Sequence, residues 1–190
     1  MKEHLKPAVM TLLSLTLITG LLYPLAVTGL AQILFPHQAN GSVLVRNGKL
    51  IGSSLVGQPF GDPQYFWSRP SATAQFPYNA AASGGSNLGP TNPALLKAFQ
   101  DRLAALKAAD PDNPRPVPVD LITASGSGLD PHISPAAAEY QVQRVARARA
   151  LDEATVRQVV AQHTQGYQLG MLGEPRVSVL EVNLALDALH

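Results

Sequence analysis

The chain has 190 residues and a formal net charge of +1, with 14 Lys or Arg against 13 Asp or Glu. All of these charges except Lys2, Glu3 and Lys6 lie beyond residue 36, so the long remainder is electrically balanced, which argues against a nucleic-acid binder. The absence of cysteine excludes disulfides and thiolate metal sites, and 15 Gly with 16 Pro point to long ordered loops rather than a helical bundle.

The first element is the stretch Pro7–Phe35, PAVMTLLSLTLITGLLYPLAVTGLAQILF. From Pro7 to Pro36 there is no Asp, Glu, Lys, Arg or His. A helix needs about 20 apolar residues to cross a bilayer core, and this stretch has them. It is also longer than the roughly 7–15 residues of a signal-peptide core, and no small-x-small cleavage site follows. Residues 1–36 therefore read as a short tail and an uncleaved transmembrane anchor, and residues 37–190 as one domain. The positive-inside count ties, with Lys2 and Lys6 before the span and Arg46 and Lys49 after it. The signal-like basic tail favours the N-terminus inside and the domain outside. Within the span, Thr16, Gly20, Pro24 and Thr28 recur every fourth residue beside Tyr23. Small residues on one helix face admit a second helix, so these five residues are the candidate packing surface for a larger membrane partner. Pro24 is expected to disturb the helix there.

After the span, Ser42–Arg46 and Lys49–Ser53 flank Asn47-Gly48, the dipeptide of a type I′ hairpin turn. Residues 57–93 are rich in Gly, Pro, Ser and Asn, and far longer than ordinary loops. They also carry Phe60, Tyr65, Phe66, Trp67, Phe76 and Tyr78, too many rings for a disordered linker. The loop is expected to be ordered, pinned mainly on its own domain. Asn92 and Pro93 start a helix to Ala109, with Leu95, Leu96, Phe99, Leu103 and Leu106 at helical spacing. Val117–Thr123 reads as a strand. Ser134-Pro135 opens a helix to about Ala150 that faces inward through Ala138, Val142, Val145 and the stem of Arg149. Asp152 caps a third helix, with Val156, Val159 and Val160 buried, ending near His163-Thr164. Arg176–Val182 reads as a strand, with Asn183 capping a short last helix. The expected fold class is α+β: one transmembrane helix, then an extracytoplasmic domain with a small sheet, three to four helices and long ordered loops.

Catalytic motifs do not emerge. The only Gly-Lys, Gly48-Lys49, is followed by Leu50 and makes no P-loop. Gly84-Gly85-Ser86-Asn87-Leu88 has Leu where a nucleophile elbow needs Gly. Ser127, Asp130 and His132 supply triad residue types but sit too close together on one turn, and Asp130-Pro131-His132 reads better as a structural turn than as a metal site. Gln162-His163-Thr164 reads as a helix terminus, where a histidine favours the dipole. The residues alone describe a non-catalytic, single-span membrane protein: an accessory subunit or an anchored binding domain. A K⁺-binding role for the carbonyl-rich turns Gly84–Asn87 and Ser125–Gly128 is the alternative.

The runs TGLLYPLAVTGLAQILFPHQANGS (Thr19–Ser42), SLVGQPF (Ser54–Phe60), YFWSRPSA (Tyr65–Ala72) and YNAAASGGSNLGPTNP (Tyr78–Pro93) closely resemble the C subunit of bacterial Kdp potassium-transporting ATPases. So do the stretch from Val117 to Arg149 and VLEVNLALDAL (Val179–Leu189). The resemblance implies a high-affinity, ATP-driven potassium uptake complex in the bacterial inner membrane. Its partners would be a channel-like subunit, a P-type ATP-hydrolysing subunit and a very small membrane peptide. The domain would be periplasmic, with Tyr65, Phe66, Trp67, Arg69, Tyr78 and Asn79 as outer-loop partner contacts. The resemblance also implies a catalytic chaperone that raises ATP affinity, with Gln162, His163 and Thr164 associated with nucleotide. No firmly bound cofactor is expected, and ATP enters only through the partner ATPase subunit. Because ATP is cytoplasmic, any effect of an outer domain on its binding would travel through the span.

Overall fold

The computed structural model describes residues 2–189. They form two compact units that divide between Ser53 and Ser54.

The first unit begins with the apolar helix. It runs as α1 (Lys2–Leu17), a π turn (Ile18–Leu22) and α2 (Tyr23–Leu34). Its 32-residue apolar part, Glu3–Leu34, is long enough by length and composition to cross a membrane. At 1.5 Å per residue it extends about 48 Å, against a bilayer core of about 30 Å. Pro36 starts the single turn α3 (Pro36–Ala39), and a hairpin follows, β1 (Val43–Arg46) and β2 (Lys49–Ser53). Its register pairs Arg46 with Lys49 across the turn, with a bulge between Leu44 and Val45. Asn47 and Gly48 both have positive φ, 52° and 73°, as the type I′ turn demands. The hairpin belongs to the same unit as the anchor helix, while the long loop begins the second unit.

The second unit is α+β. Its helices are α4 (Pro93–Ala109), α5 (Pro135–Arg149), α6 (Glu153–Gln162) and α7 (Val179–Leu186). Its sheet holds three short strands, β3 (His132–Ile133), β4 (Thr164–Gln165) and β5 (Arg176–Ser178), in the antiparallel order β3-β5-β4. The expected caps are in place. Asn92, Ser134 and Asp152 accept hydrogen bonds from the backbone N–H groups of Ala94, Ala137 and Ala154. Ala150, left-handed at φ 53°, ends α5.

The core gathers where α5, α6, α7 and β5 meet. Val142, Val145, Val156 and Leu186 are wholly buried there, with Phe66 of the loop among them. Val160 is half-buried against the cluster.

Three expectations are corrected. Val117–Thr123 is not a strand but an approach to a 3-10 turn, Val119–Leu121. Val119 is 67% exposed while Leu121 is buried, and the Asp120 carboxylate binds the backbone N–H and hydroxyl of Ser134. Arg176–Val182 splits after Ser178, because Val179, Val182 and Leu186 share one helical face and all three are buried. Asn183 lies inside α7, 1% exposed, and does not cap it. On α4, only Leu106 is buried, and Leu96 is 51% exposed.

Candidate functional site

In the anchor helix the chain makes a local structure that alternation of residue types could not reveal. Pro24 has no N–H for the carbonyl of Gly20, and its ring crowds that carbonyl in a regular helix. The backbone widens just before it: the N–H of Tyr23 reaches back five residues to the carbonyl of Ile18. The hydroxyl of Thr19 donates to the carbonyl of Leu15 at 2.7 Å. One widened turn takes up one extra residue. Residues spaced by four drift by roughly 40° per step in a regular helix, or about 120° from Thr16 to Thr28. The extra residue removes about 100° of that drift, so Thr16, Gly20, Pro24 and Thr28 lie within about 40° of one direction. Tyr23 sits roughly a third of a turn away. A Cβ at Gly20 would meet nothing within 4 Å, and Tyr23 is 66% exposed.

The long loop is held by side chains from the helices. The amide of Asn183 accepts from the N–H of Phe66 at 2.8 Å and donates to its carbonyl at 3.0 Å. Gln141 treats Trp67 the same way, at 2.8 and 3.2 Å. Arg144 donates to the carbonyls of Pro63 and Tyr65 and lies 4.5 Å from the Trp67 ring centre. Burial pushes its guanidinium down to about 10, with Asp110, Tyr140 and Asp62 opposing the shift. Arg149 binds the carbonyl of Gln64 and Asp187, and lies over the ring of Tyr65. Gln141 and Arg149 are polar positions on the Ala138–Val142–Val145 stripe of α5, which is the sequence signal that marks them as loop holders.

These contacts place the outer-loop residues. Phe66 and Asn79 are buried in their own unit, and Tyr65 and Trp67 are half-buried on arginines. Tyr78 donates its hydroxyl to the carbonyl of Arg69, and burial raises its pKa, with Ser68 and Arg69 opposing and Asp130 reinforcing. Gly57 packs under the Tyr78 ring, where a Cβ would come within 2.5 Å. Arg69 pairs with Asp130 at 2.9 Å. Asp130 also accepts from the backbone N–H of His132 at 3.0 Å. Burial acts to raise the Asp130 pKa, but hydrogen bonds from His132 and Arg69, with the Arg69 charge, hold the carboxyl below its usual range.

Gln162 ends α6, His163 caps it and Thr164 begins β4. His163 Nδ1 donates to the carbonyl of Val159 at 2.9 Å, and the Thr164 hydroxyl donates to that of Val160 at 2.7 Å. Gln162 is exposed. The Gly-rich turns 84–87 and 125–128 meet each other: the carbonyl of Ser127 accepts from the N–H of Gly84 and the hydroxyl of Ser83. The carbonyl of Gly128 accepts from Ser71. Ser127 donates no proton to His132 among the described hydrogen bonds, its oxygen instead accepting from the N–H of Leu129. Among the described residues no group of three or more His, Asp or Glu gathers as a metal site.

A cleft of about 570 Å³ opens between the loop, the Asp130-Pro131-His132 turn and β5, lined by Arg69, Asp120, Asp130, His132, Ser134 and Arg176 among others.

Comparison with known proteins gives matches along nearly the whole chain. The family profile described as "KdpC: K+-transporting ATPase, c chain" matches residues 5–188. A Potassium-transporting ATPase KdpC subunit of Methylococcus capsulatus is 65% identical over 190 residues, covering all of both chains. Proteins of the same description from Sorangium cellulosum and Polaromonas naphthalenivorans are 64% and 65% identical, covering 98% and 100% of this chain and 98% and 96% of theirs. By this profile and these relatives, the chain belongs to the KdpC family, the c chain of the K+-transporting ATPase.

Proposed function

We propose that this chain is a non-catalytic accessory subunit that assembles and stabilises the channel-like and P-type ATP-hydrolysing subunits of a high-affinity potassium uptake complex. The helix of residues 3–34 crosses the inner membrane with its N-terminus in the cytoplasm, and the α+β unit lies on the periplasmic side. The observation that carries the reading is the π turn before Pro24, whose extra residue turns Thr16, Gly20, Pro24 and Thr28 toward one face of the apolar helix. A mere tether has no use for that alignment. Close approach of a partner helix does, because small residues let two backbones pack.

The same helix is the route by which the subunit raises the ATP affinity of its partner. His163 Nδ1 and the Thr164 hydroxyl are engaged on carbonyls of α6, which supports an indirect effect over a direct nucleotide contact. Outer-loop contact with the channel-like subunit falls to the exposed parts of Tyr65, Trp67, Arg69 and Tyr78, while Phe66 and Asn79 act from beneath.

Gly20→Leu tests the proposal. A Cβ at Gly20 meets nothing within its own chain, so the variant keeps its fold. It is expected to lose at least nine-tenths of its co-purification with the other subunits of the complex. Unchanged recovery of the whole complex would refute the packing role.

A further inference from the structure

We infer that the hairpin of β1 and β2 is a membrane-surface element, whose exposed apolar face lies in the headgroup region of the anionic phospholipid bilayer that holds the anchor helix. The inference rests on the reading of that helix as a membrane span. Successive side chains of a strand point to opposite faces, so Val43 and Val45 share one face and Leu44 and Arg46 the other. Val45 pairs directly with Leu50, which puts Leu50 beside it on the same face. Water meets the apolar side: Val45 is 62% and Leu50 71% exposed, and Val43 is exposed with them, whereas Leu44 and Arg46 are half-buried. A hairpin that faces water on one side normally shows the reverse, with apolar side chains inward and polar ones outward.

A two-stranded hairpin is marginal in water unless something covers its apolar face. This one belongs to the same compact unit as a helix whose apolar window is entirely exposed, so one apolar surroundings can serve both. The joint between them is tied. Val43 follows the helix end at Leu34 by nine residues. The side-chain amides of Gln32 and Asn40 exchange hydrogen bonds, and Asn40 also donates to the carbonyl of Pro36 at 2.7 Å. The N–H of Ser42 donates to the carbonyl of His37, and the Ser53 hydroxyl closes the base of the hairpin on the carbonyl of Gly41 at 2.6 Å. Charge then selects the headgroup. No Asp or Glu occurs between Glu3 and Asp62, while Arg46 and Lys49 stand directly opposite each other at the turn. Like charges so placed repel, and a layer of lipid phosphates lowers that cost. Apolar side chains at the headgroup–acyl boundary with cations at the phosphate level are the arrangement of interfacial amphipathic segments.

The full chain, isotope-labelled in nanodiscs of phosphatidylcholine and phosphatidylglycerol, tests this with nitroxide-bearing lipids. A nitroxide just below the headgroup should at least halve the amide signals of Val45 and Leu50. Replacing the phosphatidylglycerol by phosphatidylcholine should at least halve that loss. Val45→Glu, which puts a carboxylate on the exposed face, should do the same to the loss at Leu50. The amide of Leu21, within the apolar window, reports the span separately through a nitroxide at the end of the acyl chain. The inference is overturned if Val45 and Leu50 keep their signals while Leu21 loses its own, which leaves a protein partner as the cover. It is also overturned if the loss is the same without phosphatidylglycerol and in Val45→Glu. If Leu21 keeps its signal as well, the span reading fails and the inference falls with it.

Discussion

The anchor helix and the loop of residues 57–79 meet the demands of their backbones in opposite ways. The helix satisfies its peptide groups along its own axis, and none of its apolar window is buried within the chain. In the loop around residues 63–67, peptide groups are satisfied by side chains of α5 and α7, more than seventy residues away, and Phe66 is wholly buried. The contrast separates two kinds of exposed surface. An exposed apolar side chain on the helix is available to lipid or to a partner subunit. A ring in the loop is largely committed to its own unit. Substitutions should therefore divide cleanly: those under the loop change stability, and those on the helix stripe change assembly.

The largest expected effect lies under the loop. Asn183→Leu keeps the branched heavy-atom skeleton but strands the N–H and carbonyl of Phe66, both of which it holds in a buried site. Each stranded group costs about 1–3 kcal/mol, so a loss of about 4 kcal/mol is expected in denaturant unfolding of the full chain. A loss below about 1 kcal/mol would break the claim that the loop is clamped by side chains.

A smaller, pH-dependent effect is expected at the Arg69–Asp130 pair. The folded carboxyl has a depressed pKa, so its stabilisation is complete above the ordinary carboxylate range, near pH 4, and is lost as the pH falls through the lower folded value. Thermal melts of the parent and Asp130→Asn should differ most above pH 5 and converge in acid. A difference that grows in acid would mean that burial, not the hydrogen bonds, governs this carboxyl. The smallest effect on stability belongs to Gly20→Leu, whose unfolding of the α+β unit should be indistinguishable from that of the parent.

The legibility of the sequence follows the same division. Local chemistry was readable: Asn47-Gly48 made its turn, and Asn92, Ser134 and Asp152 made their caps, because each needs only its near neighbours. The length of the span was readable from its lack of charge. The stretch RVSVLEVNLAL was ambiguous, since Val177 and Val179 fit a strand while Val179, Val182 and Leu186 fit a helix, and burial against α5 and α6 decided it. The strands of two or three residues carry no pattern of their own and exist through distant pairing. For the same reason the cleft could not be foreseen: Arg69, Asp130 and Arg176 come from three separate segments. The π turn is intermediate. Pro24 announces a disturbance, but not that it would straighten the small-residue stripe.

The alignment of that stripe is the central claim, and a chain without cysteine allows a direct measurement. Single-cysteine variants at Thr16, Val27 and Thr28, each carrying a photoactivatable crosslinker, can be scored in the assembled complex. In an unbroken α-helix Val27 would share the direction of Thr16 to within about 20°, with Thr28 about 120° away; the π turn reverses this preference. Strong crosslinking to a partner subunit from Thr16→Cys and Thr28→Cys, with little from Val27→Cys, is the predicted result. Strong crosslinking from Val27→Cys with little from Thr28→Cys, or equal weak crosslinking from all three, would contradict the account.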